Sequence, residues 1–381
     1  MTVELDGWCA PGWSRVRDAL AANLASGADL GAAVAAYHRG ERVVDLAGGW
    51  ADRARTVPYG RSTLQLVFST TKGVVATALA MCVQRGLVGY GDRVSSVWPE
   101  FAAAGKERLE VRDVLSHRAG LEVPEGPMSL AEALDWDAAT SRIAASAPRR
   151  GPDGAHGYHA ITFGWLAGEI LRRVDGRSVG DFVADEIAGP LGEEFWIGLP
   201  ERYEPRVSPL VAPRPGATDG AAPLGDVLTV NGALAVKGGF NRRDLRAAQI
   251  PGANGVGTAR AVAAMYAATI GEVDAGGRAV RLLEEPARLA AVQPATVAGA
   301  RDAVLGARTA FSQGGYMLAC EAVAYRRAQA FGHPGAGGSV GFADPGSGLA
   351  FAYAMNAMGD GLMVDPRAEA LVAAAFASIG G

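Results

Sequence analysis

Two hairpin patterns, one near each end of a 381-residue chain, constrain its fold more than any other feature. Residues 31–38 and 43–50 are strand-like runs around the turn pair Arg39-Gly40, and residues 339–343 and 349–356 flank Asp344-Pro345-Gly346-Ser347-Gly348. Between them the apolar spacing turns helical, most clearly over 70–85, 130–147, 162–174, 179–187 and 258–270. Trp13, Val16, Leu20 and Leu24 predict a helix before the first hairpin. After the last, Asp365-Pro366 supplies an N-cap and a first-turn proline for a helix to about residue 378. Strands at both ends with helices between them predict an α/β (α+β) fold: one antiparallel sheet closed by distant parts of the chain, flanked by terminal helices and carrying a mainly helical insertion. The expected organisation is a single domain over 1–381, with a sheet subdomain from 1–65 and 300–381 and a helical subdomain with long loops over 66–299. A ligand is expected in the cleft between them. Residues 205–223, with five prolines, read as an irregular surface loop, and residues 205–246 as a region that helps shape the cleft.

Composition narrows the function classes. With 49% apolar and 20% charged residues the chain is globular. A net charge of −4 without a basic tract gives no reason to expect nucleic acid or an anionic membrane as partner, and small neutral substrates fit better. Residues 1–12 lack a cationic-then-apolar leader, and the longest apolar run, 74–83, is about half a bilayer span. A cytoplasmic protein is therefore expected. Cys9, Cys82 and Cys320 have no paired or metal-like spacing and are expected to be plain thiols, Cys82 in the core. No cofactor or metal is expected.

The chain has three lysines, Lys72, Lys106 and Lys237, against 33 arginines. Arginine serves wherever a fixed positive charge is enough, so a retained lysine draws attention to its ability to lose a proton. Lys72 lies three residues after Ser69 at the start of an amphipathic helix, which puts both on one face. A serine there has its amide among the unsatisfied donors of the first turn, and a lysine partly desolvated beside Val75 and Ala76 can act as its base. A plain reading remains: Ser69 as a helix cap and Lys72 as a solvated side chain.

Phe68-Ser69-Thr70-Thr71-Lys72-Gly73 resembles the first motif of serine β-lactamases of the cephalosporinase type, of penicillin-binding proteins, and of their esterase and acyltransferase relatives. The resemblance runs from about Gly31 to Asn356, with further segments in the expected order. Val111-Arg112-Asp113-Val114-Leu115-Ser116-His117-Arg118-Ala119-Gly120-Leu121 is one; Gly157-Tyr158-His159-Ala160 followed by Gly164-Trp165-Leu166-Ala167-Gly168-Glu169 is the second. Asn254-Gly255-Val256-Gly257 and Phe331-Gly332-His333-Pro334-Gly335-Ala336-Gly337-Gly338 complete the set. The resemblance implies a β-lactamase-like fold and a Ser69, Lys72, Tyr158 catalytic triad. It implies an oxyanion hole from the Ser69 and Ala336 amides, with His333, Gly335, His159 and Ala160 against the substrate.

Two departures narrow the chemistry. Ala160 stands where β-lactamases carry an asparagine, and His333-Pro334 where they carry lysine and threonine. Both are similar to the esterase and acyltransferase branch. A carboxylesterase acting through an acyl-Ser69 intermediate on small esters is therefore expected. A transacylase that passes the acyl group to an amine or alcohol is the alternative. A β-lactamase or D-amino-acid peptidase comes after these, and from another class, a catalytically inactive binding homologue. Among other residues, His117 is expected to be structural, His156 and His159 to line the cleft without binding metal, and Trp165 and Trp196 to be core.

Overall fold

The computed structural model describes residues 4–212, 225–325, 327–363 and 365–379. Its main sheet has seven strands: β1 (Leu5–Cys9), β2 (Gly31–His38), β3 (Glu41–Gly49), β4 (Met317–Leu318), β5 (Phe331–Pro334), β6 (Val340–Asp344) and β7 (Leu349–Met355). The spatial order is β1-β3-β2-β7-β6-β5-β4, antiparallel throughout. The two hairpins meet at the centre, where β2 pairs with β7 and His38 stands opposite Leu349. Both strands are buried along nearly their whole length, which explains why they read as continuous apolar runs. One face is covered by the helix Ser14–Ala25, packed on the helix Pro366–Ser378, and the other by the helix Ala259–Ile270.

Local chemistry sets the turns and caps. Arg39 and Gly40 both have positive φ, 53° and 83°, as a two-residue hairpin turn that follows strand twist requires. Arg39 N–H donates to Gly348 O at 2.8 Å, tying the two hairpin turns together. Asp365 caps the last helix by accepting from Arg367 N–H at 2.9 Å.

Several expectations need correction. The helix expected over 130–147 is two, Leu130–Leu134 and Trp136–Ala145, because Asp135 takes an extended conformation and caps the second by accepting from Ala138 N–H. The pattern over 179–187 begins as a single α-turn, Val179–Phe182, then widens to a π-turn, Val183–Ala188, before Pro190. Trp165 is core, but Trp196 is only partly buried and stacks on Tyr203 with ring centroids 4.8 Å apart. Strands β1 and β4 were not expected. The loop expected over 205–223 begins inside the turn Glu201–Arg206 and continues to residue 212; residues 213–223 lie outside the described residues. Cys9 and Cys82 are free thiols, and Cys82 is buried. Among the described residues no helix is long and apolar enough to cross a membrane.

Arg367 joins the sheet to the last helix. It donates to Asp29 Oδ1 at 3.0 Å, Asp365 Oδ2 at 2.7 Å and Gly337 O at 2.6 Å, with all three side chains buried. Replacing Arg367 by leucine strands two buried carboxylates and is expected to cost about 3–5 kcal/mol of stability. Denaturant unfolding checks this; a loss well under about 1 kcal/mol would mean that the pair stabilises nothing.

Candidate functional site

Ser69 sits in a tight turn, Phe68–Thr70, between the short strand Gln65–Leu66 and the helix Thr71–Gln84. Phe68 has φ 44°, a conformation a non-glycine residue adopts only when its surroundings impose it. Those surroundings are explicit. Val67 N–H donates to Gly255 O at 3.0 Å, and Gly255 N–H donates to Thr71 Oγ1 at 2.9 Å. On the other side Ser339 Oγ donates to Val67 O at 2.8 Å and lies 3.1 Å from Thr70 Oγ1. The turn is thereby clamped between the 255 loop and the start of β6, with Ser69 partly exposed.

Lys72 is fully buried. Its Nζ lies 3.0 Å from Ser69 Oγ, 2.6 Å from Ala160 O and 2.6 Å from Gly252 O. Burial lowers its pKa well below the ordinary lysine value. Carbonyl oxygens only accept, so a neutral amine spends both N–H bonds on Ala160 and Gly252 and keeps its lone pair for the Ser69 hydroxyl. The protonated form has support too: the Tyr158 and Phe163 rings lie with centroids 4.9 and 5.9 Å from Nζ. Gly252 and Phe163 escaped the sequence reading. A backbone carbonyl can come from any residue type, and Phe163 looks like an ordinary core position.

Tyr158 is brought to the same place. Its phenol is buried, and burial raises its pKa, with the nearby Ser69 hydroxyl opposing that shift. The phenolic oxygen is a close neighbour of Ser69, without hydrogen-bond geometry to any group among the described residues.

The two residues after Tyr158 depart from expectation. His159 has no polar atom left for a substrate: Nε2 accepts from Leu121 N–H at 2.9 Å, and Nδ1 donates to Gly157 O at 2.7 Å. Burial pushes its pKa down to about 3, so it is a neutral structural ring. Ala160 enters through its carbonyl on Lys72 and not through its side chain. His117 is structural as expected, with Nδ1 accepting from His159 N–H at 3.0 Å.

The third segment closes the site. His333 is buried on β5, its ring stacked on Tyr158 with centroids 5.9 Å apart. Its Nδ1 donates to Pro334 O at 2.6 Å, which leaves Nε2 as a bare acceptor with no partner among the described residues. Burial, then the Lys72 charge, push its pKa down to about 3, so it offers no positive charge to a carboxylate. Gly335 turns its Cα toward the Ser69 turn. A Cβ there would lie 2.3 Å from Val67 O and 2.2 Å from Ser339 Oγ, so glycine is what lets the strand end touch the Ser69 turn. Among the amides of this bend, Gly335 N–H donates to Ser339 O, Gly337 N–H to Gly361 O and Gly338 N–H to Gly335 O. The amide of partly exposed Ala336 has no backbone acceptor among the described residues.

The region expected to shape the cleft does reach this neighbourhood. Phe240 packs edge-on against Phe68 with centroids 5.5 Å apart, and Asn231 Nδ2 donates to Pro124 O at 2.8 Å.

Comparison with known proteins agrees with this arrangement. Residues 16–375 match the model of the beta-lactamase family. The Mycobacterium tuberculosis (strain ATCC 25618 / H37Rv) protein named esterase/beta-lactamase LipL is 35% identical over 343 residues, covering 86% of this chain and 77% of the relative. The crystal structure of a family VIII carboxylesterase superposes with a TM-score of 0.89 at 38% identity, covering 98% of this chain and 100% of that one. A penicillin-binding protein homologue from Caulobacter crescentus gives 0.88 at 40% identity, again over 98% of this chain and 100% of the other. The antiparallel sheet with its helical insertion is the β-lactamase-like fold, and the chain belongs to the beta-lactamase family.

Proposed function

We propose that the protein is a serine hydrolase of the carboxylesterase type, acting on small neutral esters through an acyl-Ser69 intermediate. The observation that carries this reading is the buried Lys72 amine, whose two carbonyl acceptors leave its lone pair for Ser69 Oγ at 3.0 Å. Relatives bearing esterase names support it.

Lys72 takes the Ser69 proton as Oγ attacks the ester carbonyl, and the ammonium so formed is held by Ala160 O and Gly252 O. Negative charge on the former carbonyl oxygen is met by the Ser69 and Ala336 amides. As the tetrahedral intermediate collapses, Tyr158 gives its proton to the departing alkoxide and is resupplied from Lys72. Water then attacks the acyl ester by the reverse relay. Phenol burial keeps Tyr158 in the protonated form this step needs.

Hydrolysis is favoured over transfer because Ser69 is partly exposed, so water reaches the ester. The transacylase alternative predicts that an amine or alcohol acceptor diverts the acyl group from water. The carboxylate of a β-lactam finds no charge at His333, whose buried Nε2 is an acceptor.

A fluorophosphonate probe followed by intact mass measurement is expected to add one label to the wild type and none to Ser69→Ala; equal labelling would remove Ser69 from the mechanism. Lys72→Arg keeps the charge but cannot lose its proton, and is expected to lower kcat at least about 100-fold. Turnover near the wild-type rate would eliminate Lys72 as the base. Since only the neutral amine accepts the proton, kcat/KM should fall as pH drops through the lowered Lys72 pKa, with the acid limb well below the ordinary lysine value. A rate that keeps rising to the ordinary lysine pKa would contradict the buried-amine mechanism.

A further inference from the structure

The backbone around Tyr158 is held from two opposite sides. Gly157 N–H donates to His117 O at 3.0 Å and His159 N–H to His117 Nδ1 at 3.0 Å. The amide between them, Tyr158 N–H, donates instead to Asp302 Oδ1 at 3.1 Å. The same oxygen accepts from Val304 N–H at 2.8 Å and Leu305 N–H at 2.9 Å, and Oδ2 accepts from Thr309 Oγ1 at 3.4 Å. Thr309 Oγ1 is in turn 2.7 Å from His156 Nε2, and Ala303 N–H donates to His156 O at 2.9 Å. Asp302 is 1% exposed, and its one ion-pair contact among the described residues is His156, 3.7 Å away. Burial lowers the His156 pKa against the opposing pull of Asp302. This carboxylate is therefore satisfied mainly by backbone amides, and one of them belongs to Tyr158.

We infer that Asp302 is a positioning residue for Tyr158, seating the phenol beside Ser69 so that it can protonate the leaving oxygen. The inference rests on the serine-hydrolase reading above. Asp302 itself gains and loses no proton: as the C–O bond breaks, the proton passes from Tyr158 to the alkoxide and is replaced from Lys72. Geometry is supported by charge, since a negative group at Asp302 adds to burial in keeping the phenol protonated.

Leaving groups separate this role from general support of the fold. A p-nitrophenolate departs without being protonated, whereas an alkoxide needs its proton, so misplacing Tyr158 harms alkyl esters far more. Asp302→Asn preserves shape and the amide-accepting Oδ1 while removing the charge. It is expected to lower kcat/KM, which reports the acylation step, for ethyl butyrate about tenfold more than for p-nitrophenyl butyrate. In a Tyr158→Phe background the same change should leave that ratio where Tyr158→Phe put it. Equal losses on both esters, or full additivity with Tyr158→Phe, overturn the inference and leave the hydrolase reading standing. A wild type that cleaves neither ester, or a Ser69→Ala variant that cleaves both, overturns the hydrolase reading and this inference with it. If Asp302→Asn does not fold, Thr309→Val, which removes only the hydroxyl on Oδ2, should shift the ratio in the same direction; an unchanged ratio there overturns the inference.

Discussion

The structure depends on keeping an amine dry. Lys72 sits where an ammonium is costly, and no carboxylate among the described residues offsets the cost; two carbonyls, from residues 160 and 252, take its N–H bonds instead. Those carbonyls belong to segments far apart in the chain, so packing the lysine fixes the segment after Tyr158 against the 252 loop. Gly164 and Gly252 permit the contact: a Cβ on Gly164 would come within 1.9 Å of Gly252 N. One buried cation-former thus organises two loops around one serine.

The neighbouring titratable rings are tuned to the same end. His117, His159 and His333 are all buried, and burial is the leading cause of each lowered pKa, so the three rings stay neutral together. Burial acts on Lys72 in the same direction, so every titratable group around the Ser69 hydroxyl is pushed toward its uncharged form. On the proposed mechanism, a developing oxyanion competes with little else for the Ser69 and Ala336 amides.

What could be read in the sequence was what side chains encode locally. The central hairpins were visible because strands buried on both faces are unbroken apolar runs bounded by turn residues, and the Ser69–Lys72 pair because its geometry is one helical turn. Strand β1 was invisible: it is a largely exposed edge strand whose Asp6 and Gly7 break any alternation. Tyr158 and the His333–Ala336 bend were reached through family resemblance, since nothing local distinguishes a tyrosine before a helix. Gly252 and Asp302 were missed because one acts through a carbonyl and the other through amides far away in sequence. His159 was misplaced because spacing cannot tell which ring nitrogens the backbone will occupy. The scarcity of lysine was only partly a guide. Lys106 is also fully buried, but it donates to Ala103 O at 2.6 Å and Ser146 O at 2.5 Å, closing the end of the helix Trp136–Ala145.

The pairing of β2 with β7 has a consequence for how the molecule comes into being. A strand made early in synthesis waits for one made more than three hundred residues later, since His38 finds Leu349. Until then the inner edge of β2 offers unpaired amides and carbonyls on an apolar ribbon, a template for pairing with another chain. The bend carrying Ala336 leads into the same late hairpin, so a chain stalled before it has Ser69 and Lys72 in its sequence but neither a closed sheet nor the bend packed against the Ser69 turn. Completion of the pocket around Ser69 and protection from aggregation thus arrive together, when β7 finds β2.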